Sequence, residues 1–132
     1  ISDYNKAIEI NPNFAWAYNN RGFAYFNKGN LDQAISDYNK AIEINPNFAL
    51  AYNNRGLAYF KKGNLDQAIS DYNKAVEINP NLVLAYNNRG VAYFNKKDYD
   101  KSWKNVHKVE ELGYKVNPQF LTELKKASGR EK

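Results

Sequence analysis

Apolar residues in this chain return every three to four positions, in stretches of about thirteen broken by "GN" and "NPN". In "AWAYNNRGFAYFN" Tyr18, Gly22 and Tyr25 share one face of a helix, and in "LDQAISDYNKAIEI" Ala34, Tyr38 and Ala41 do the same. Spacings of 3 and 4 are those of an amphipathic helix, since a helical turn takes 3.6 residues. Asn30 and Asn64 stand at the start of the second stretch, with Gln33 and Gln67 three residues on. That is the order of a capping box with Asn in place of Ser or Thr, so a reciprocal side-chain cap is expected. At the far end Pro46 and Pro80 remove a backbone donor and bias the preceding residue away from helix.

The pattern has a period of 34. Residues 15–48 and 49–82 differ at only five positions, residues 1–14 are identical to 35–48, and residues 83–116 match the second copy at 14 positions. The chain therefore divides into 1–14, the second helix of a truncated repeat; 15–48, 49–82 and 83–116, three repeats with the last diverged in its second half; and 117–132, a terminal helix and tail. With Ala15, Ala49 and Val83 as position 1, Gly at position 8 is expected to face Ala at position 20 and let the two helices approach closely. One such pair cannot cover its own apolar sides, so the repeats must stack. In the third copy Lys97 replaces Gly, Ser102 replaces Ala, and "LGYKVNP" replaces the usual stop. Pro118 then opens a helix whose Phe120, Leu121 and Leu124 cover the preceding one, while Glu123, Lys125 and Lys126 face water as a terminal cap requires.

Tyr18, Gly22, Tyr25, Ala34, Tyr38, Ala41 and Pro46, repeated as Tyr52, Gly56, Tyr59, Ala68, Tyr72, Ala75 and Pro80, resemble the pattern of the tetratricopeptide repeat family. The third copy keeps Tyr86, Gly90 and Tyr93 and then departs, and Arg21, Arg55 and Arg89 stand at position 7 where the family has leucine. The resemblance implies an all-α, right-handed superhelical solenoid of antiparallel helix pairs with a solvating C-terminal helix. It also implies a concave groove lined by the first helix of each repeat, through positions 2, 5, 6, 9, 12 and 13.

Those positions carry Trp16, Leu50 and Leu84; Asn19, Asn53 and Asn87; Asn20, Asn54 and Asn88; Phe23, Leu57 and Val91; Phe26, Phe60 and Phe94; and Asn27, Lys61 and Asn95. An asparagine amide is both donor and acceptor, which matches the regular donors and acceptors of an extended peptide main chain. The position-6 column looks like the asparagine ladder in the superhelical repeats of O-linked N-acetylglucosamine transferases. Three uses are open to it: holding a peptide, bridging neighbouring repeats, or facing water. Six ladder hydrogen bonds at roughly 0.5–1.5 kcal/mol each supply about 3–9 kcal/mol, against about 4–15 kcal/mol for association. Affinity must therefore come from apolar residues such as Trp16, Phe23, Leu57 and Phe60. The family's carboxylate clamp for acidic chaperone tails would need Lys, Asn, Asn, Lys and Arg where this chain has Asn19, Phe23, Asn54, Leu84 and Asn88. Only Asn54 fits, so an apolar, roughly neutral peptide is the expected ligand.

Each Arg at position 7 is preceded by an Asp eighteen residues earlier: Asp3, Asp37 and Asp71 before Arg21, Arg55 and Arg89. This suggests an inter-repeat arginine–carboxylate pair.

Composition narrows the function classes. The net charge of +5 is gathered toward the end: −1 over 1–14, 0 over 15–48, +1 over 49–82, +3 over 83–116 and +2 over 117–132. A nucleic-acid groove would be basic along its length, so no nucleic-acid partner is expected. No run of about 18 apolar residues is present, so no membrane span is expected, and no signal peptide is visible. The chain does not begin with Met, which suggests a fragment or a processed form. Absence of cysteine removes disulfides and thiol chemistry and leaves the compartment open between cytoplasm and periplasm. His107 with Glu110 and Glu111 makes too few ligands for a metal, and no acid–base or nucleophile constellation is found, so neither an enzyme nor a cofactor is expected. The expected function is a non-catalytic scaffold for a peptide or protein partner. The alternative is a solenoid that homo-oligomerises through residues 1–14, where Ile1, Tyr4 and Ile8 lack a partner helix.

Overall fold

The structure, a computed structural model, describes residues 1–132 and contains eight helices and no strand. They are α1 (Ser2–Ile10), α2 (Ala15–Asn27), α3 (Leu31–Ile44), α4 (Ala49–Lys61), α5 (Leu65–Ile78), α6 (Val83–Asn95), α7 (Tyr99–Glu111) and α8 (Pro118–Ser128). Each helix packs on its sequence neighbours, and α2, α4 and α6 also touch in series. Contacts confined to near neighbours are those of a solenoid rather than a closed bundle.

The turns follow from glycine and asparagine. Gly29 and Gly63 have φ of +82° and +85°, the left-handed conformation that glycine tolerates. The Asn30 and Asn64 N–H groups then donate back to the Tyr25 and Tyr59 carbonyls, each at 2.9 Å. This overturns the capping-box expectation: the N–H that Gln33 or Gln67 would have reached is already bonded, and neither Asn makes a side-chain cap. Asp98 in the third copy does cap, accepting from the Lys101 N–H. At the second-helix ends the Asn11, Asn45 and Asn79 side chains accept from the N–H two residues on, across the proline (3.2, 3.1 and 3.1 Å). Such a local turn offers the backbone an alternative to continuing as helix.

The core sits between helices of successive repeats. Ala34, Ile35 and Tyr38 of α3 pack with Ala58 of α4, and Ala68, Ile69 and Tyr72 of α5 with Ala92 of α6. Gly22 and Gly56 face chiefly the ring at position 24 rather than the alanine at position 20. A Cβ there would lie 2.8 Å from Tyr38 and 2.7 Å from Tyr72, with the Ala34 and Ala68 carbonyl oxygens next at 3.2 and 3.1 Å. At the C-terminal end Tyr86, Trp103, Val106, Val109, Val116 and Leu124 form the largest cluster, with Phe94, Phe120 and Leu121 against it. The Trp103 indole N–H donates to Ser128 Oγ at 3.0 Å, tying α7 to the end of α8.

Candidate functional site

On α2, α4 and α6 the residues divide between two opposite faces, as a 3.6-residue period requires. Positions 4, 7 and 11 face the second helices. There the Arg21 guanidinium lies over the Tyr18 and Tyr25 rings (5.6 and 6.0 Å) and Arg55 over Tyr52 and Tyr59 (5.4 and 6.0 Å). Arg21 donates twice to Asp37 at 2.8 and 2.7 Å, and Arg55 twice to Asp71 at 2.9 and 2.7 Å. The expected pairing is thus corrected: each arginine bonds the residue sixteen positions after it, inside its own repeat, and for Arg21 and Arg55 that residue is an aspartate. What it reaches in the preceding repeat is an asparagine, through Arg21–Asn5, Arg55–Asn39 and Arg89–Asn73 at 2.9–3.0 Å. Hydrogen bonding to the aspartate holds Arg21 and Arg55 above the ordinary guanidinium range. Arg89 has the neutral Asn105 opposite instead, and burial pushes it down.

The other face carries the groove positions. Trp16, Phe23 and Leu84 are each about half exposed (51, 48 and 54 %). Leu57, Phe26 and Phe60 are half-buried, and Lys61 is exposed. Trp16 rests on the Phe48 ring at 4.6 Å, and Phe23 stacks on Phe26 at 6.4 Å. Phe94 is held differently, against Tyr99 and edge-on to Phe120 of α8 at 5.8 and 5.6 Å. The capping helix therefore closes over that end of the wall, where Asn117, Phe120 and Glu123 border Val91.

The two asparagine columns are joined. Asn54 Nδ2 donates to Asn19 Oδ1 at 3.0 Å, and Asn88 Nδ2 to Asn53 Oδ1 at 3.1 Å. Asn19 and Asn53 are only 2 % exposed, so their place is inside the repeat interface and not on a ligand. A buried amide must be hydrogen-bonded, and the neighbouring repeat supplies the partner. Asn54 and Asn88 are half-buried, with a bridging amide nitrogen and an amide oxygen that accepts nothing within the protein. Asn20 and Asn87 are half-buried at the two ends of the array and make no side-chain hydrogen bond. Recurrence of "NN" was the signal available in the sequence; which amide turns inward was not.

A family model described as TPR repeat matches residues 24–63 and 56–97, and one described as tetratricopeptide repeat matches residues 3–36. The chain belongs to the tetratricopeptide repeat family. No curated protein matches it. Among solved structures it is similar to the first TPR of Spaghetti (RPAP3) bound to the HSP90 peptide SRMEEVD, with 33 % identity over 87 % of this chain and 90 % of that one and a TM-score of 0.80. It is equally similar to the first TPR domain of the human RPAP3 protein (33 % identity, 89 % and 92 % covered, TM-score 0.80). The MamA protein is 32 % identical over 84 % of this chain and 61 % of that one, with a TM-score of 0.76. The fold is a tetratricopeptide solenoid, and this class is a protein–protein interaction scaffold, generally non-catalytic.

Proposed function

We propose that the wall formed by α2, α4 and α6 binds an extended, largely apolar and neutral peptide segment of a partner protein, without catalysis. The observation that carries this reading is the row of half-exposed apolar side chains, Trp16, Phe23 and Leu84, beside Asn20, Asn54 and Asn88. Inter-repeat bridging leaves about three amide oxygens for peptide N–H groups, at roughly 0.5–1.5 kcal/mol each. Association opposes this with about 4–15 kcal/mol, so the apolar side chains must supply most of the affinity, at about 1.5–3 kcal/mol for each one well buried. Of the candidate contacts, Trp16, Phe23, Phe26, Leu57 and Phe60 are assigned to ligand side chains, and Lys61 to the groove rim. One neighbour holds an acidic HSP90 peptide; an acidic tail is not assigned to this chain, which has Asn19, Phe23, Leu84 and Asn88 where such a clamp needs other residues.

A library of random dodecapeptides screened against the protein tests the reading. Peptides that bind should lose affinity at least about tenfold on Phe23→Ala, whose side chain is too exposed to matter much to folding, and several-fold on Asn54→Ala. Binders indifferent to both substitutions would place the site elsewhere.

A second reading, self-association through residues 1–14, has its own observation. At 35–48 the identical sequence buries Ile35, Asp37, Tyr38 and Ala41, whereas α1 buries nothing and leaves Ile10 77 % exposed. It requires a mass that rises with concentration in light scattering; a constant monomer mass up to millimolar protein would end it.

A further inference from the structure

In the second repeat Asn39, Arg55, Tyr59, Gln67, Ser70 and Asp71 line an open hollow of about 410 Å³, on the side of α4 turned away from the groove wall. Its one cation is answered from within. Arg55 gives Nε and Nη2 to Asp71 and Nη1 to Asn39, so each guanidinium nitrogen has a partner. The third repeat keeps these positions and changes their charge. Asn73, Arg89 and Tyr93 hold the same places, while Lys101 replaces Gln67, Lys104 replaces Ser70 and Asn105 replaces Asp71. Formal charge over the six positions goes from zero (Arg55 against Asp71) to +3 (Arg89, Lys101 and Lys104). Asn105 is buried and fixed: its Nδ2 donates to the Lys101 carbonyl and its Oδ1 accepts from Arg89 Nε, both at 2.8 Å. Arg89 Nη1 donates to Asn73, and Nη2 bonds nothing within the protein. The Tyr72 hydroxyl is the one buried side-chain polar atom without a partner, so Nη2 is open to water and to a ligand. Neither Arg89 nor Lys104 has an ion pair. Lys101 lies over the Tyr93 ring at 5.5 Å, and its one acidic contact is a long, exposed one, 3.7 Å to Asp98.

We propose that this junction of α5, α6 and α7 is an anion site that takes the carboxylates of a run of acidic residues on a partner protein. One carboxylate oxygen would accept from Arg89 Nη2, the nitrogen through which Arg21 and Arg55 each hold an aspartate oxygen at 2.7 Å. The exposed ammonium groups of Lys101 and Lys104, one helical turn apart on α7, would meet the acidic side chains beside it. A bound carboxylate also relieves a guanidinium that burial without a counter-charge pushes down. The face is distinct from the groove, whose lining gives an acidic tail nothing to hold, so this inference stands whether or not the groove binds a peptide. A nucleic acid fits less well, because residues 1–82 sum to zero charge and offer a longer polyanion no basic track. Exposed lysines contribute little each, so binding through this site alone is weak and falls as salt screens it.

The test titrates the protein at low salt with an acetylated, amidated octaglutamate, read by NMR. The Arg89 side-chain N–H signal and the amides of α7 should shift together and saturate, while the Arg55 side-chain signal stays in place. Two variants give the third repeat what the second has. Asn105→Asp supplies the carboxylate from within, and Lys101→Gln with Lys104→Ser removes two exposed charges without touching the core. Each should weaken octaglutamate binding at least about fivefold. Binding that both variants leave unchanged overturns the site, and so do shifts confined to other helices or no saturable shift at all. An octauridylate that binds more tightly than octaglutamate, with the same dependence on Lys101 and Lys104, overturns the assignment to a protein partner.

Discussion

The third repeat begins with a first helix almost identical to those of the other two and then meets different company. In the first two repeats the arginine at position 7 grips an aspartate twice, the glycine at position 8 receives a tyrosine ring, and a glycine makes the turn. In the third, Arg89 bonds once to Asn105, a Cβ at Gly90 would meet Asn105 Cβ at 3.2 Å and the Ser102 carbonyl oxygen at 3.7 Å but no ring, and Lys97 takes the turn at φ +65°. Val106 stands where the tyrosine was, and Trp103 replaces Ile35 and Ile69. Ser102 Oγ donates to the Gly90 carbonyl at 2.8 Å within the core. A second helix followed by another repeat presents a surface fitted to its own copy. One followed by α8 need not, and here the shared packing rules give way to a local core built around an indole.

Trp103→Ala should have the largest effect on this contrast. It removes a side chain that is 2 % exposed and frees Ser128, at about 4 kcal/mol by guanidinium unfolding. Loss of α8 protection in hydrogen exchange should accompany it, while α3 and α4 stay protected.

Next come the arginines. Arg55→Leu leaves the buried Asp71 without its partner and should cost about 3 kcal/mol. Arg89→Leu leaves only neutral asparagines and should cost about 1 kcal/mol. Equal losses from the two in chemical denaturation would remove the aspartate pair as the distinguishing feature.

The glycines should separate more modestly. Gly56→Ala drives a Cβ to 2.7 Å from the Tyr72 ring, and overpacking of about 1–3 kcal/mol outweighs about 1 kcal/mol of helix propensity. Gly90→Ala has the looser contact, so propensity should dominate and the melting temperature should hold or rise.

Two substitutions should move the third repeat toward the others, each by about 1 kcal/mol. Lys97→Gly relieves a left-handed backbone on a residue that carries a Cβ. Asn105→Asp gives Arg89 the carboxylate its counterparts have. Thermal melts of the single and double variants should show upward shifts that add; a fall with Asn105→Asp would mean that desolvation of the carboxylate exceeds the pairing there.

Legibility differed from residue to residue in a consistent way. Tyr38, Ala41, Tyr72 and Ala75 declare themselves because a 3.6-residue period is a property of the helix alone. Trp103 gave no such sign, since it replaces an isoleucine at a position whose burial depends on α8. Asn19 and Asn20 are adjacent and chemically identical, so only the rotation of α2 against α4 selects which one turns inward. Asp3 and Asp37 were both available to Arg21 at similar sequence distances, eighteen and sixteen residues.

By itself, then, the order of residues determined the helices, their stops, the period of 34 and the small and aromatic positions of the core. Each of these rests on interactions within a few residues, or on copies of one unit meeting in the same way every time. The tertiary structure alone decided which aspartate Arg21 and Arg55 hold, which asparagine of the first two pairs is buried, and that the buried Tyr72 hydroxyl lacks a partner. Those outcomes depend on where rigid helices come to rest against one another, and shifts of an ångström or a fraction of a turn exchange one hydrogen-bond partner for another.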